Sequence, residues 1–278
     1  MPFAESDGAS IAYEVRGSRG ALLLLSAGNG KATAFDAVVP LLAQHFRVVT
    51  FDRRCRGRST GDATQAMDLA QTARDLRCVV RAALQSTKSA HDQGAASDDR
   101  VIVFGTSGGA VSALSLAQEC PGLVSTLVVH EPPVISLLPD HSSQMDQIVK
   151  IVECSRREGP HAGMDAFVQL ALPFFWDGTP TPKPSEPDAD TAYFLEQEIM
   201  AINSYAPDFE LIRKNVTEKC IALVGDATGP DVFYARTVPL LAEKLQCDVA
   251  VVPGNHVGYL LPNTASAFGE ALLKIIQT

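Results

Sequence analysis

The sequence predicts an α/β fold in which a mainly parallel sheet is flanked by helices and interrupted by a helical insertion. Short β-type runs alternate with longer runs of helical spacing, which is the pattern of parallel strands joined by crossover helices. Several β-type runs, such as residues 21–25, are continuously apolar, as expected of strands that are covered on both faces. The alternation stops at residue 134 and resumes at residue 216, so we assign 1–133 and 216–278 to the sheet and 134–215 to the insertion.

The composition is that of a globular enzyme of 278 residues, with 46% hydrophobic and 20% charged residues. A formal net charge of −9 argues against nucleic acid and anionic membrane surfaces as partners, because both require a basic surface. The six cysteines are scattered without zinc-ligand spacing, which is typical of packing residues in a reducing compartment. No secretory signal is visible, so we expect a cytoplasmic protein that acts on a small molecule, and its oligomeric state, monomer or homodimer, stays open.

Before the insertion, the residue pattern predicts five strands and three helices. Residues 11–16 alternate apolar and polar side chains, as an edge strand does, and residues 67–84 carry apolar side chains at helical spacing. The polar, glycine-containing stretch 86–99 predicts a surface loop. The remaining predicted strands are 21–25, 46–51, 101–104 and 123–130, and the remaining helices are 35–45 and 110–118.

The insertion contains helical patches and no clear strand. The patches are 144–153, 164–172 and 192–202, and the proline-rich stretch 179–187 can be neither helix nor central strand. After the insertion the alternation predicts strand 220–224, helix 234–245, strand 248–252 and helix 263–276.

A GxSxG pattern occurs twice, at residues 57–61 and 105–109. The pattern indicates a nucleophile elbow only where a strand enters it and a helix leaves it. Ser107 meets both conditions, because the apolar run 101–104 precedes it and a helical pattern follows. Ser59 meets neither. Ser107 is therefore the candidate nucleophile, and the alternative for it is a tight turn or an anion-binding helix start.

A serine nucleophile requires a base, and His256 is the best placed of the six histidines. It follows the last predicted strand, 248–252. A loop at the carboxyl end of a parallel strand opens on the edge of the sheet where α/β proteins bind ligands. The alternative is a loop histidine that caps the final helix.

These motifs resemble those of the α/β-hydrolase superfamily. The resemblance covers about 1–133 and 216–278, and it implies a mainly parallel eight-stranded sheet, with the insertion as a helical cap. It places Ser59 in a structural loop, where Cys55 replaces a usual glycine. It also implies an oxyanion hole formed by the backbone N–H of Gly108 with that of Gly28 or Asn29. The matching segments are 22–30, 52–59, 105–109 and 254–256.

The acid of the expected triad has two candidates. Most of the superfamily carries it in a turn after the strand 220–224, where this chain has Thr228, with Asp226 and Asp231 out of register. Relatives of the haloalkane dehalogenases supply it after the preceding strand, and Glu131 stands there. We prefer Glu131, keep Asp226 as the alternative acid, and note that Glu131 could instead pair with an arginine near 53–58.

The resemblance implies a serine hydrolase that cleaves a small or medium, largely apolar ester or lactone. A carbon–carbon hydrolase of β-diketones, a non-hydrolytic cyclase or lyase, and a small-molecule receptor are the alternatives. No metal or cofactor is expected, because the histidines and cysteines are scattered and no phosphate-binding loop is present. Aromatic side chains that could line the pocket, or simply form the core of the cap, are Phe174, Phe175, Trp176, Phe194, Tyr205, Phe209 and Tyr259.

Overall fold

The computed structural model describes residues 2–87, 100–171 and 189–278. Its centre is an eight-stranded sheet with the strand order β1-β2-β4-β3-β5-β6-β7-β8, parallel from β4 onward. The α/β fold with a mainly parallel sheet is therefore confirmed. The strands are β1 (Phe3–Ser6), β2 (Ala9–Arg16), β3 (Leu22–Ser26), β4 (Arg47–Phe51), β5 (Val101–Thr106), β6 (Val124–His130), β7 (Lys219–Gly225) and β8 (Asp248–Val252).

The antiparallel edge of the sheet corrects one prediction. The strand predicted at 11–16 is β2, but it lies one position inside the edge, because β1 pairs along its outer side with Phe3 opposite Ala12. On the other side β2 pairs antiparallel with β4. With both its edges paired, β2 buries more than one face: Ile11, Ala12 and Tyr13 are all buried.

Helices cover both faces of the sheet. On one face, α2 (Leu69–Thr87), α3 (Gly108–Glu119) and α9 (Phe233–Leu245) share a hydrophobic cluster with the strands. On the other face, α1 (Val39–Leu42) and α10 (Ala265–Gln277) pack in a second cluster. The two layers hold the carboxyl ends of β3, β5, β6, β7 and β8 at one edge of the sheet.

The helix predicted at 35–45 differs from the structure more in length than any other predicted helix. The chain instead forms a single 3₁₀ turn at Ala32–Phe35 and the four-residue α1, which begins beside Pro40. Proline has no N–H to donate, so it suits the first turn of a helix and not its interior. The loop predicted at 86–99 overlaps the end of α2, and its residues 88–99 lie outside the described part of the chain.

Between β6 and β7 the described residues form helices and no strand. They are the 3₁₀ turn Ile135–Leu137, α4 (His141–Glu158), α5 (Pro160–Ala171), α6 (Ala189–Tyr193), a π-helical turn (Phe194–Glu198), α7 (Ile199–Asn203) and α8 (Phe209–Asn215). The proline-rich stretch 179–187 lies outside the described residues. No helix in the described ranges is long and apolar enough to cross a membrane.

Candidate active site

Ser107 lies in the turn between β5 and α3, in a conformation that most residues avoid. Its φ is 55° and its ψ is −129°, and its N–H donates to the His130 carbonyl at 2.9 Å. The glycines around it permit this turn: a Cβ at Gly109 would lie 2.1 Å from the Ser26 carbonyl oxygen, and one at Gly105 would lie 2.6 Å from the Gly109 oxygen. The predicted strand–turn–helix geometry of a nucleophile elbow is thus present at Ser107.

His256 and Glu131 meet at the same edge of the sheet. His256 follows β8, Glu131 follows β6, and His256 Nδ1 donates to Glu131 Oε2 at 2.6 Å. Tyr234 of α9 stacks on the His256 ring with centroids 4.0 Å apart. Because Glu131 accepts the hydrogen bond from His256 Nδ1, the imidazole is held in the tautomer with its proton on Nδ1, and Nε2 is left as the basic atom.

Glu131 is completely buried, so its carboxylate requires partners. Its Oε1 accepts from the Gly225 N–H at 2.9 Å, and its Oε2 accepts from His256. Burial alone would raise the pKa of this carboxyl, but the neighbouring His130 and His256 outweigh burial and lower the pKa to about 2. The residue also adopts a φ of 45°, which aims the side chain from the end of β6.

The alternative acid, Asp226, is not the partner of His256. It is exposed after β7, and its Oδ1 accepts from the Gly254 N–H at 2.8 Å. It therefore holds the loop that carries His256 without contacting the ring through a described hydrogen bond. The predicted alternative of a Glu131–arginine pair is also absent from the described ion pairs, because Arg53 and Arg56 bind a different carboxylate, Glu198.

His130 is a second buried histidine, beside Glu131. Its Nδ1 lies 3.0 Å from Thr106 Oγ1, and its Nε2 lies 3.8 Å from Glu131 Oε1. Burial lowers its pKa to about 4, so the ring is neutral at neutral pH. Its position on the strand directly before Glu131 was the only sequence signal that it lies here.

The loop after β3 lies directly against Ser107. A Cβ added at Gly28 would be 2.9 Å from the Ser107 Cβ and 3.2 Å from its Oγ. The Asn29 side chain caps its own turn by accepting from the Lys31 N–H at 3.1 Å. Gly28, Asn29 and Gly108, the predicted oxyanion-hole residues, all line the same cavity as Ser107 and His256.

That cavity has a volume of about 330 Å³. Apolar side chains from the insertion and from the loops of the sheet form most of its wall: Met164, Phe167, Phe194, Ile202, Phe233, Val257 and Leu260. Tyr259 also lines it, as predicted, and packs between Phe35 and Phe268. Pockets that bind small molecules in proteins are typically of this size and mostly apolar.

Tyr205, a predicted pocket residue, is not among the described residues that line the cavity. Its ring packs in the hydrophobic core, and its hydroxyl donates to Gln118 Oε1 at 3.1 Å on α3. Phe209 likewise packs against the core. Phe174, Phe175 and Trp176 lie outside the described residues.

A buried ion-pair group that sequence reasoning missed joins the insertion to the loop after β4. Glu198, in the π-helical turn, binds Arg53 through Oε1 at 2.8 Å and Arg56 through Oε2 at 2.5 Å, and all three side chains are almost completely buried. Arg56 also lines the cavity. In the sequence, Glu198 looks like one more charged residue on a solvated helix face, which is why it gave no signal.

Ser59, the serine of the other GxSxG pattern, holds a loop in place through two hydrogen bonds. Its hydroxyl donates to the Asp52 carbonyl at 2.5 Å and accepts from the Ala12 N–H at 2.9 Å, which ties the loop after β4 to β2. Cys55 in the same loop adopts a φ of 60°, the left-handed region that favours glycine. In the described ranges, no group of three or more histidine, cysteine or acidic residues is placed to hold a metal ion.

Comparisons with known proteins agree with this fold. Residues 22–266 match the alpha/beta hydrolase family. An uncharacterized hydrolase, YraK of Bacillus subtilis (strain 168), is 30% identical over 273 residues, which cover 97% of this chain and 93% of YraK. Two solved structures are similar at 17% identity. The esterase EaEST from Exiguobacterium antarcticum has a TM-score of 0.72, covering 100% of this chain and 99% of its own. The enol-lactonase from Burkholderia xenovorans LB400 has a TM-score of 0.68, with 100% of both chains covered.

Proposed function

The chain belongs to the alpha/beta hydrolase family and is a hydrolase, and we propose that it cleaves a small or medium, largely apolar ester or lactone through an acyl-enzyme on Ser107. The observation that carries this proposal is the 2.6 Å contact between His256 Nδ1 and Glu131 Oε2 beside the cavity that Ser107 lines. A buried carboxylate that orients an imidazole near a serine is the arrangement that acyl transfer requires.

In the proposed reaction, the Ser107 hydroxyl attacks the substrate carbonyl while His256 Nε2 takes its proton. Glu131 holds the proton on Nδ1 and stabilises the imidazolium that forms. His256 then gives a proton to the leaving alkoxide and removes one from the water that hydrolyses the acyl-enzyme.

Backbone N–H groups would stabilise the negative charge on the carbonyl oxygen. Gly108, at the start of α3, and Gly28 or Asn29 are the proposed donors, since all three line the cavity beside Ser107. The first N–H groups of a helix have no partner within the helix, and losing one oxyanion donor typically lowers the rate by about 10²–10³.

The size and lining of the cavity support the proposed substrate class. A volume of about 330 Å³ with a mostly apolar wall suits a short acyl chain or a lactone ring better than a polymer. The helices between β6 and β7 supply part of this wall, so we propose that residues 134–215 act as a cap that selects the substrate. The six free cysteines support a reducing compartment, the cytoplasm, as its location.

A fluorophosphonate probe tests the acyl-enzyme mechanism. We expect stoichiometric labelling of the wild type, complete loss of labelling in Ser107→Ala, and retention in Ser59→Ala, the matched control from the second GxSxG pattern. A folded protein that does not label would exclude the mechanism. A panel of p-nitrophenyl esters, lactones and β-diketones then separates ester or lactone cleavage from carbon–carbon cleavage.

A further inference from the structure

One polar atom in the wall of the cavity has no use in the proposed reaction. Asn203, at the end of α7, lines the cavity and is only 4% exposed. Its side-chain oxygen, Oδ1, is buried and has no hydrogen-bond partner among the described residues. Of the residues described as lining the cavity, Asn203 is the one whose side chain carries such an atom.

The orientation of this amide is set by its own helix. Asn203 Nδ2 donates to the Ile199 carbonyl, one turn earlier, at 2.8 Å. Only the NH₂ group can make this bond, because the carbonyl offers no proton, so the oxygen must be on the other side of the amide. The side chain thus uses its donor within the helix and keeps its acceptor for another group.

The acceptor belongs to the helix, α7, that contacts the turn after Ser107. Ile202, the preceding residue, packs over the turn of the nucleophile, with its Cδ1 3.0 Å from where a Cβ at Gly108 would stand. Most of the other residues that line the cavity are apolar, including Phe194. Most buried polar side-chain atoms in proteins have a hydrogen-bond partner, and an unpaired one destabilises the fold.

We propose that Asn203 Oδ1 accepts a hydrogen bond from an O–H or N–H group of the substrate bound in this cavity. The inference rests on the proposed function and refines it: preferred esters or lactones carry a hydrogen-bond donor on an otherwise apolar skeleton. A site that leaves a buried acceptor unpaired discriminates against analogues without the donor, and we expect a preference of about tenfold or more in kcat/KM.

Matched substrate pairs measure this preference. Hydroxyl donors are tested with p-nitrophenyl 2-hydroxybutanoate and 3-hydroxybutanoate against their methoxy analogues. An N–H donor is tested with the p-nitrophenyl ester of N-acetylglycine against that of N-acetylsarcosine, and a ring with α-hydroxy-γ-butyrolactone against its methoxy analogue. The ratio of kcat/KM within each pair reports the hydrogen bond and cancels general changes in activity.

Asn203→Leu removes the acceptor at nearly constant size, and Asn203→Asp keeps an acceptor oxygen. We expect the donor preference to fall to about one in Asn203→Leu and to persist in Asn203→Asp. Ile202→Val is the control: it removes one methyl group from the same wall and should change both members of a pair in parallel. Should Asn203→Leu fail to fold, the kcat/KM ratios of the Asn203→Asp variant and of the wild type still test the proposed hydrogen bond.

Two outcomes overturn the inference: a wild type with no preference in any pair, or an Asn203→Leu variant with an unchanged preference. Failure of the proposed function is distinguishable, since it appears as loss of fluorophosphonate labelling and of all ester turnover. In that case the binding of 4-hydroxy-2-pentanone against 4-methoxy-2-pentanone, measured by calorimetry in wild type and Asn203→Leu, tests the same hydrogen bond without turnover.

Discussion

Both carboxylate oxygens of Glu131 accept hydrogen bonds in the protein interior, from Gly225 and His256. Substitution of this residue therefore gives the most direct test of the site. We expect Glu131→Gln to lower kcat/KM by about 10³–10⁴, since an amide can stabilise neither the required tautomer nor the imidazolium of His256. Asp226→Asn should retain activity within about tenfold, because its amide oxygen can still accept from Gly254. Steady-state kinetics of both variants measure this, and a larger loss in Asp226→Asn would make that residue the acid.

His130 couples stability to pH. Burial lowers its pKa in the folded protein to about 4, below its ordinary value of 6.5, so the unfolded chain binds more protons between those values. The free energy of unfolding should therefore fall by up to about 3 kcal/mol as the pH decreases from 6.5 to 4. Urea denaturation at pH 7, 6, 5 and 4.5 measures it.

The variant His130→Asn separates this titration from others, because asparagine does not titrate. Its stability should change less between pH 6.5 and 4 than that of the wild type. The groups that face His130 are Thr106, Glu131 and the rings of His256 and Phe268. Glu131, whose pKa is about 2, contributes its own loss of stability only at lower pH, between 4.5 and 2. An equal pH dependence in both proteins would show that His130 is not the group responsible.

Sequence reasoning can predict the location of residues whose position in the fold depends on their place along the chain. Ser107, Glu131 and His256 each follow a strand, and parallel strands bring their carboxyl ends to one edge, so their meeting could be predicted. Glu198, Asn203 and Tyr205 depend on contacts between distant elements. The neighbouring sequence does not distinguish the buried carboxylate of Glu198 from one on a solvated helix face. It likewise does not distinguish Tyr205, which packs against the core, from a tyrosine that lines a pocket.

Among elements, the π-helical turn and the loop after β4 are joined by the buried pairs of Glu198 with Arg53 and Arg56. Replacing Glu198 with glutamine leaves the buried Arg53 without this counter-charge and leaves Arg56 with the more distant Asp190, at 3.9 Å. We expect Glu198→Gln to lower the free energy of unfolding by about 3 kcal/mol, because breaking a buried pair on one side strands the other charge.

Glu196 provides a matched control in the same turn, since it is exposed. Glu196→Gln should change stability by less than about 0.5 kcal/mol. Chemical denaturation of the two variants side by side measures the difference. Similar values for both would show that the buried pairs contribute little.

The elements that were mispredicted have physical explanations. β1 has only four residues, and half of them are exposed, so its apolar pattern is too short to indicate a strand. The region 35–45 has helical spacing, but Pro40 cannot continue a helix that begins before it. In contrast, β3 and β6 are buried throughout and were identified from continuous apolar runs.

At the scale of the whole molecule, two hydrophobic layers enclose the sheet without any disulfide. All six cysteines are free. Burial raises the pKa of Cys220 to about 12 and that of Cys247 to about 11, and it also raises the pKa of Cys120. Thiolate is the reactive form, so these three should react slowly in the native protein.

Thiol titration checks this expectation. In guanidinium without reductant, a disulfide reagent should count six thiols per chain. In native buffer, Cys120, Cys220 and Cys247 should react much more slowly than in guanidinium, as mass spectrometry of the modified peptides would show. Fewer than six thiols after denaturation would contradict the free state of the cysteines.

The π-helical turn at Phe194–Glu198 determines the direction in which the side chains of the following helix, α7, point around the helix axis. Each residue of an α-helix advances about 100° around the axis, so deleting one residue from this wide turn would rotate α7 by that angle. Ile202 and Asn203 would then leave the wall of the cavity, and neighbouring side chains would replace them. Deleting one residue from this turn, without any substitution, can therefore change the side chains in the wall of the cavity while Ser107, His256 and Glu131 stay in place.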